Sequence, residues 1–401
     1  MKSIGLFWSK EQAGKKRCEV CPYSKQEMAE SSSLQKDENE TFDFQINLWN
    51  SKVRNTETGE LSRFRAIDFG VICPLSAKRL IFLFPFEVKY EDLTDLVKCL
   101  SLDTDLLCTV FNEDLKSSSE PAKSYHKIDG ISSGIHYLMY ELSKENIEKL
   151  SYDQQSKITQ ITIVINSDFN EDEFKEYRLF LRFRIKLHDF NAFAKKKDVS
   201  NDWLQSAFSS TYLFDIRLND VRELSKKRKE LVEHQGFHLP NFSKVHFFYM
   251  ADSEEIVENG SSMKLDKRLL ENERWHSYLG ENIAFVSDNV AHHWKKKEEF
   301  KVKLKNVAVE NSENAQLTAI SYKKSVNNFT IFFKTEFSDI RRKRVIGYLS
   351  LIVLLGIISS SVVTLIASFI PNEFYLEWEV WGSFIVFLVA LIAFLIIKKG
   401  K

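Results

Sequence analysis

Two uncharged stretches near the C-terminus constrain this chain more than any other feature. Residues 345–370 (26 residues) and 380–397 (18 residues) contain no Asp, Glu, Lys or Arg. At helical rise the first is about 39 Å long, enough to cross a hydrocarbon core of roughly 30 Å with some tilt; the second is near the minimum for a span. A segment in lipid must satisfy its own backbone polar groups, so both are expected to be helices, paired as a C-terminal two-helix transmembrane hairpin. Arg341, Arg342, Lys343 and Arg344 precede the first run, and Lys398, Lys399 and Lys401 follow the second. Residues 371–379 between them hold three Glu, no Lys or Arg, and the aromatics Phe374, Tyr375 and Trp378. Cationic borders stay on the cytoplasmic side, so both termini are expected there, in a multi-pass membrane protein.

Within the first run Gly356, Ser360, Thr364 and Ser368 recur every fourth residue and fall along one helix face. Small residues let helices approach closely, which suits packing inside the hairpin or self-association between copies. No charge lies inside either run, which argues against a dedicated ion or proton path.

The formal net charge is zero, but residues 341–401 carry seven Lys/Arg against three Glu, leaving the rest of the chain near −4. A body of that balance lacks the cationic surplus that nucleic-acid binding needs. Five cysteines, Cys18, Cys21, Cys73, Cys99 and Cys108, are odd in number and do not form a disulfide framework pattern. Cys18 and Cys21 have a metal-like spacing, yet no second Cys or His pair stands near them.

Residues 1–40 read as a polar, partly disordered leader. From Thr41 the apolar residues Phe42, Phe44, Ile46 and Leu48 alternate with polar ones, the period of a half-buried strand. Strand-like runs recur at 64–73, 80–88, 137–142, 158–165, 177–187, 212–218, 245–250, 300–309 and 329–333, with helical patterns at 90–102, 220–234 and 265–279. Residues 41–340 are therefore expected to be a strand-rich α+β cytoplasmic body, with 194–202 as the candidate divide between two lobes.

Motifs of chemistry are scarce. The 13 glycines include no pair separated by a single residue, which removes the dinucleotide fingerprint and the P-loop. There is no Gly-x-Ser-x-Gly elbow and no His-Glu-x-x-His helix. No cofactor, metal site or catalytic constellation is therefore expected. His292-His293, before Trp294 and three lysines, reads as a solvated basic turn. Glu271, Glu273, Arg274 and His276 around Trp275 read as a helix face. The run 177–187 sets Arg178, Arg182, Arg184 and Lys186 on one face, interrupted by Phe180. That cationic row is a candidate anion-binding site, or else a solvated outer face. Lys226, Lys227, Arg228 and Lys229 form a second basic run, read as an exposed helix surface.

A strand-rich body ending in the spans 345–370 and 380–397 resembles the two-transmembrane effectors of bacterial antiphage defence systems, the retron-associated kind above all. The resemblance is one of architecture. It implies a toxin that perturbs the inner membrane, restrained by a reverse transcriptase with its RNA–DNA hybrid, and partners that are lipid and other copies of the chain. The competing readings are a membrane-tethered enzyme or nuclease, and a membrane scaffold or receptor, with the hairpin only an anchor.

Overall fold

The computed structural model describes residues 3–10, 40–119, 124–166, 169, 171–197, 209–280, 282–307, 316–324, 326, 329–338 and 342–367. Strands dominate, in two large sheets and one hairpin. The smaller sheet runs β15 (Ile256–Asn259), β21 (Phe329–Ser338), β13 (Ser209–Leu218), β1 (Ser3–Ser9), β4 (Arg79–Phe84), β10 (Ile158–Val164), β9 (Ile147–Asp153), with β12 (Ala194–Lys197) also on β13. The larger runs β16 (Leu265–Leu270), β18 (Asn289–Lys297), β14 (Asn241–Asp252), β2 (Thr41–Asn55), β3 (Leu61–Cys73), β11 (Arg178–Lys186), β8 (His136–Tyr140), β7 (Tyr125–Gly130), β6 (Leu115–Ser119). In it β17 (Ile283–Phe285) adds to β2 and β5 (Leu93–Asp95) to β11, while among the described residues β19 (Glu299–Val307) pairs with β20 (Gln316–Lys324) alone.

Alternation within the strands explains why two sheets face each other. Phe69 of β3 sends its ring among Phe82 and Phe84 of β4 and Phe183 of β11, at 5.0–6.3 Å between centroids. Phe333 of β21 packs on Phe247 and Tyr249 of β14 and Trp294 of β18, and Trp8 of β1 on Phe42 of β2. Offset and edge-on rings of this kind bury large apolar area, the dominant stabilising term.

Both outer faces are covered by helices. On the smaller sheet Leu224 of helix α3 (Val221–Lys229), with Leu231 and Phe237 beyond it, packs over Phe7, Ile81 and Leu83. Gly5 makes the close approach possible, since a Cβ there would stand 3.0 Å from the Leu224 side chain. On the larger sheet α1 (Val97–Leu102), α2 (Thr104–Phe111) and the short α4 (His276–Leu279) bury Leu100, Leu106, Leu107, Tyr278 and Leu279 against Trp49, Phe180 and Met250.

Several expectations change. Ser3–Ser9, placed in the leader, is an interior strand buried along its whole length; residues 11–39, including Cys18 and Cys21, lie outside the described residues. Of the expected divide at 194–202, residues 198–202 lie outside the described residues. β2 pairs in parallel with β14 and β1 with β13, so segments from both sides of that point interleave in both sheets. Residues 265–279 are not one helix, because β16 takes its register from β18 across six pairs and only His276–Leu279 is helical. Sheet pairing overrides local propensity there. The expected helix at 90–102 is a turn at Tyr90–Asp92, then β5, then α1. The 220–234 helix is present, its last turn wound as a π-helix.

By contacts the chain forms two units, residues 1–195 with 213–334 and residues 196–212 with 335–401. The first is the sandwich just described. In the second, Tyr212 stacks on Phe337 at 5.5 Å and Lys196 sits over the Tyr212 ring. Its helix α5, Arg342–Ala367, is 26 residues long. The stretch Val345–Val362 is long and apolar enough to cross a membrane, and only 11% of it is buried. Ile346, Leu349, Val353 and Ile357 are each about 60% exposed. The second run, 380–397, and its cationic end at Lys398, Lys399 and Lys401 lie outside the described residues.

Candidate functional site

The outer face of the larger sheet carries polar side chains where a solvated face was expected, and most are buried beneath helices. Strand register sets them in rows. Arg182 of β11, Gly70 of β3, Gln45 of β2, His246 of β14 and Lys295 of β18 are consecutive cross-strand neighbours. The next row is Arg184, Asp68, Asn47, Phe248, His293 and, on β16, Asp266. Gly70 has a steric purpose. A Cβ there would come within 3.3 Å of both Arg182 Nη1 and Gln45 Oε1, so its absence lets the guanidinium lean across β3 to reach β2.

The four cations of the candidate row have different surroundings. Arg184 is 5% exposed and bidentate to Asp68, Nε to Oδ1 at 2.7 Å and Nη2 to Oδ2 at 3.1 Å. Its Nη1 donates to the Tyr278 carbonyl at 2.9 Å, and Trp49 Nε1 and Tyr278 Oη donate to the same Asp68 oxygen. Arg184 is thus saturated by the fold. Arg178 pairs with Asp43 at 3.3 Å and donates to the Thr41 carbonyl at 2.6 Å. Lys186 is exposed and borders a separate surface hollow with Glu87 and His188. The structure therefore does not make one anion grip of Arg178, Arg182, Arg184 and Lys186.

Arg182 is the exception. It is 2% exposed, its Nε donates to Tyr278 Oη at 2.7 Å and its Nη1 to Gln45 Oε1 at 2.9 Å. With the Asn47 amide turned to satisfy its neighbours, Nη2 donates to that side chain as well. All three partners are neutral, and among the described residues no carboxylate lies within ion-pair distance of Arg182. A buried guanidinium surrounded by neutral acceptors leaves an uncompensated positive potential.

That potential opens into a cavity of about 420 Å³, floored by Gln45, Asn47, Arg182, His246 and Phe248 and walled by β16, β18 and the end of α2. Asp103 caps α2, accepting from the Leu106 N–H at 2.9 Å, and Asn112 ends it with φ +54°, a left-handed turn that Asn tolerates. Thr109, Val110, Phe111 and Asn112 thereby face the cavity. Lys267, Arg268 and Lys295 stand at its exposed border with Asp266, whose carboxylate pairs with Lys264 at 2.6 Å.

Electrostatics agree with the inventory. Burial, reinforced by Lys295 and neighbouring cations, pushes the His246 imidazole down to about 3, and burial with Lys295 pushes His293 down to about 4. His246 Nδ1 and His293 Nε2 are 3.1 Å apart, and the His293 ring lies flat on Phe248 at 4.1 Å and 4°. Both rings are therefore neutral at pH 7 and form an aromatic slab with Phe248. The Lys295 ammonium is held below its usual range, by partial burial and then by Lys297 and Lys244. Trp275, 3% exposed, is among the residues around the cavity, and among the described residues its buried indole N–H has no partner. A buried donor left unpaired is costly.

His292-His293 is not a solvated turn but the middle of β18, its rings on opposite faces. His292 is 3% exposed and edge-on to Tyr249, and among the described residues neither of its ring nitrogens is bonded. Trp275 belongs to a turn and not to a helix face. Cys73, Cys99 and Cys108 are free thiols, with burial pushing Cys73 up to about 12 and Cys99 up to about 11. Sequence reasoning missed Gln45, Asn47, Gly70, His246 and Arg268. The signal was there in Asp43, Gln45 and Asn47, three polar residues at alternate positions of a long strand, but nothing local says that helices cover that face.

Of the helix-face residues, Gly356, Ser360 and Thr364 lie on α5, all exposed, and Ser368 lies outside the described residues. Thr364 Oγ1 donates to the Ser360 carbonyl at 3.0 Å and Ser361 Oγ to the Ile357 carbonyl at 2.8 Å. These hydroxyls are satisfied within their own helix. Arg342, Lys343 and Arg344 form its first turn, and Arg341 lies outside the described residues. No family model matches this chain, and no curated protein sequence matches it.

Proposed function

We propose that this chain is a membrane effector: a ligand-responsive sandwich whose C-terminal helices lie in a bacterial inner membrane and disrupt it on release. The carrying observation is α5, 26 residues with an exposed apolar surface that begins four residues after β21 ends. So short a connection couples strand to helix, and an exposed apolar surface this large needs lipid or another chain to cover it. The charge pattern of residues 371–401 supports a second span at 380–397 and a hairpin with both ends inside. Resemblance to antiphage effectors adds abortive growth arrest as the outcome and a reverse transcriptase with its RNA–DNA hybrid as the restraint.

The test is expression of the full chain in a bacterial host, followed by membrane potential and dye entry. Depolarisation is expected, abolished by deleting 341–401 and strongly reduced by Gly356→Leu with Ser360→Leu, which would bulk the face on which copies associate. Recovery of the chain in the soluble fraction after mild lysis, or leakage unchanged by the deletion, overturns the proposal. A second reading, a receptor that α5 merely anchors, is favoured by the cavity; it predicts no depolarisation by either the full or the shortened chain.

A further inference from the structure

We infer that the cavity beside Arg182 is a binding site for a nucleoside phosphate, the base against the Phe248–His293 slab and the phosphate toward Arg182 and Arg268. Only the further step from occupancy to membrane release rests on the effector reading; binding itself does not.

Three independent features point to the same ligand. First, the charge: Arg182 is buried without a counter-charge, and its guanidinium is held in place by Tyr278 and Gln45. Preorganised guanidinium groups are good phosphate partners, because their donors match two oxygens at once. Arg268 and Lys295 extend positive potential to the border of the cavity. Second, the wall: Phe248 and His293 form a flat stacked surface, and His293 stays uncharged at neutral pH, so it offers a π-face to a base and does not repel it. Third, the polar floor: the amide side chains of Gln45 and Asn47 line it. Such groups read the polar edge of a heterocycle. The volume, about 420 Å³, falls in the range of small-molecule sites, roughly 300–1,000 Å³, and suits a mononucleotide better than a polymer.

Inorganic phosphate or a simple anion would satisfy Arg182 but leave the slab and the amide floor unused. An uncharged heterocycle would do the reverse. A nucleoside phosphate uses both.

The experiment is isothermal titration of the full chain in detergent micelles at pH 7 with AMP, GMP, CMP and UMP, then with the matching nucleoside and with inorganic phosphate. Saturable binding of at least one mononucleotide is expected, with nucleoside and phosphate each weaker by roughly tenfold or more. Arg182→Met should abolish the signal. Because that residue is buried and its loss threatens folding, Arg268→Ala at the exposed border is the second variant, expected to weaken binding several-fold. Absence of binding by all four mononucleotides up to millimolar concentration overturns the inference. So does phosphate binding as tightly as the nucleotides, or nucleotide binding unchanged in Arg268→Ala and Arg182→Met alike. Nucleotide binding by a full-length chain that causes no depolarisation would instead count against the effector reading alone.

Discussion

Asp68→Asn is expected to destabilise the chain by about 3–5 kcal/mol, the range for removing one partner of a buried ion pair. Asp68 is fully buried and accepts from four donors: Nε and Nη2 of Arg184, Trp49 Nε1 and Tyr278 Oη. An amide of the same shape presents an NH₂ where an acceptor stood and leaves the Arg184 charge uncompensated. A domain has only about 5–15 kcal/mol in total, so the loss should be visible as a large shift in denaturant midpoint followed by circular dichroism. Asp68→Leu with Arg184→Met should recover part of that loss, since no charge is then stranded; recovery is partial because Trp49 and Tyr278 still lose their acceptor. A midpoint for Asp68→Asn within about 1 kcal/mol of the parent would show that the pair does not hold the floor of the cavity.

Acid is expected to unfold the body well before its carboxylates are protonated. Burial is the first cause in each of three histidines: His246 falls to about 3, and His292 and His293 to about 4, against an ordinary value of 6.5. In the unfolded chain these rings take up protons near pH 6.5, while in the folded chain they stay neutral. Stability is therefore flat above about pH 7 and declines as pH falls through 6.5 toward 4. Asp95 works in the opposite direction, because burial raises its carboxyl to about 6, so it gains a proton in the folded state first and opposes the decline between 6 and its ordinary value of 3.8. One carboxyl does not offset three imidazoles. Melting temperature measured from pH 8 to 4.5 should drop steeply below 6.5. His292→Met should both flatten that drop and raise stability at pH 7, as it removes a ring with two unbonded buried nitrogens. A melting temperature constant across that range, or an acid limb unchanged in His292→Met, would contradict it.

Much of the strand content was legible, because runs such as 64–73 and 158–165 alternate or cluster apolar residues as β3 and β10 require. The apolar stretch at 345–370 announced α5 for the same reason: composition over more than 20 residues leaves few alternatives. What stayed hidden depended on partners remote in the chain. Ser3–Ser9 is too short to look like more than a fragment, yet between β4 and β13 every residue is buried. Leu265–Leu270 has apolar residues at both ends that suit a helix, until its pairing with β18 decides otherwise. The site was half visible. Arg182 stood out as one of four cations in a row, but its distinction from Arg184 rests wholly on Asp68, which pairs with one and not the other. Gly70, which shapes the floor by having no side chain, carries no local signal at all.

The long reach of the pairings also governs how such a chain is made. Thr41 of β2 meets Asn241 of β14, and Ser3 of β1 meets Arg217 of β13. β2 and β3 can zip into a hairpin at once, but the far edge of β2 waits some two hundred residues for its neighbour, about 10–40 s at ordinary translation rates. During that interval a long aromatic strand presents open amides and carbonyls to every other nascent copy. Cells producing this protein quickly should therefore accumulate inclusion bodies, and slower translation or cooler growth should raise the folded yield.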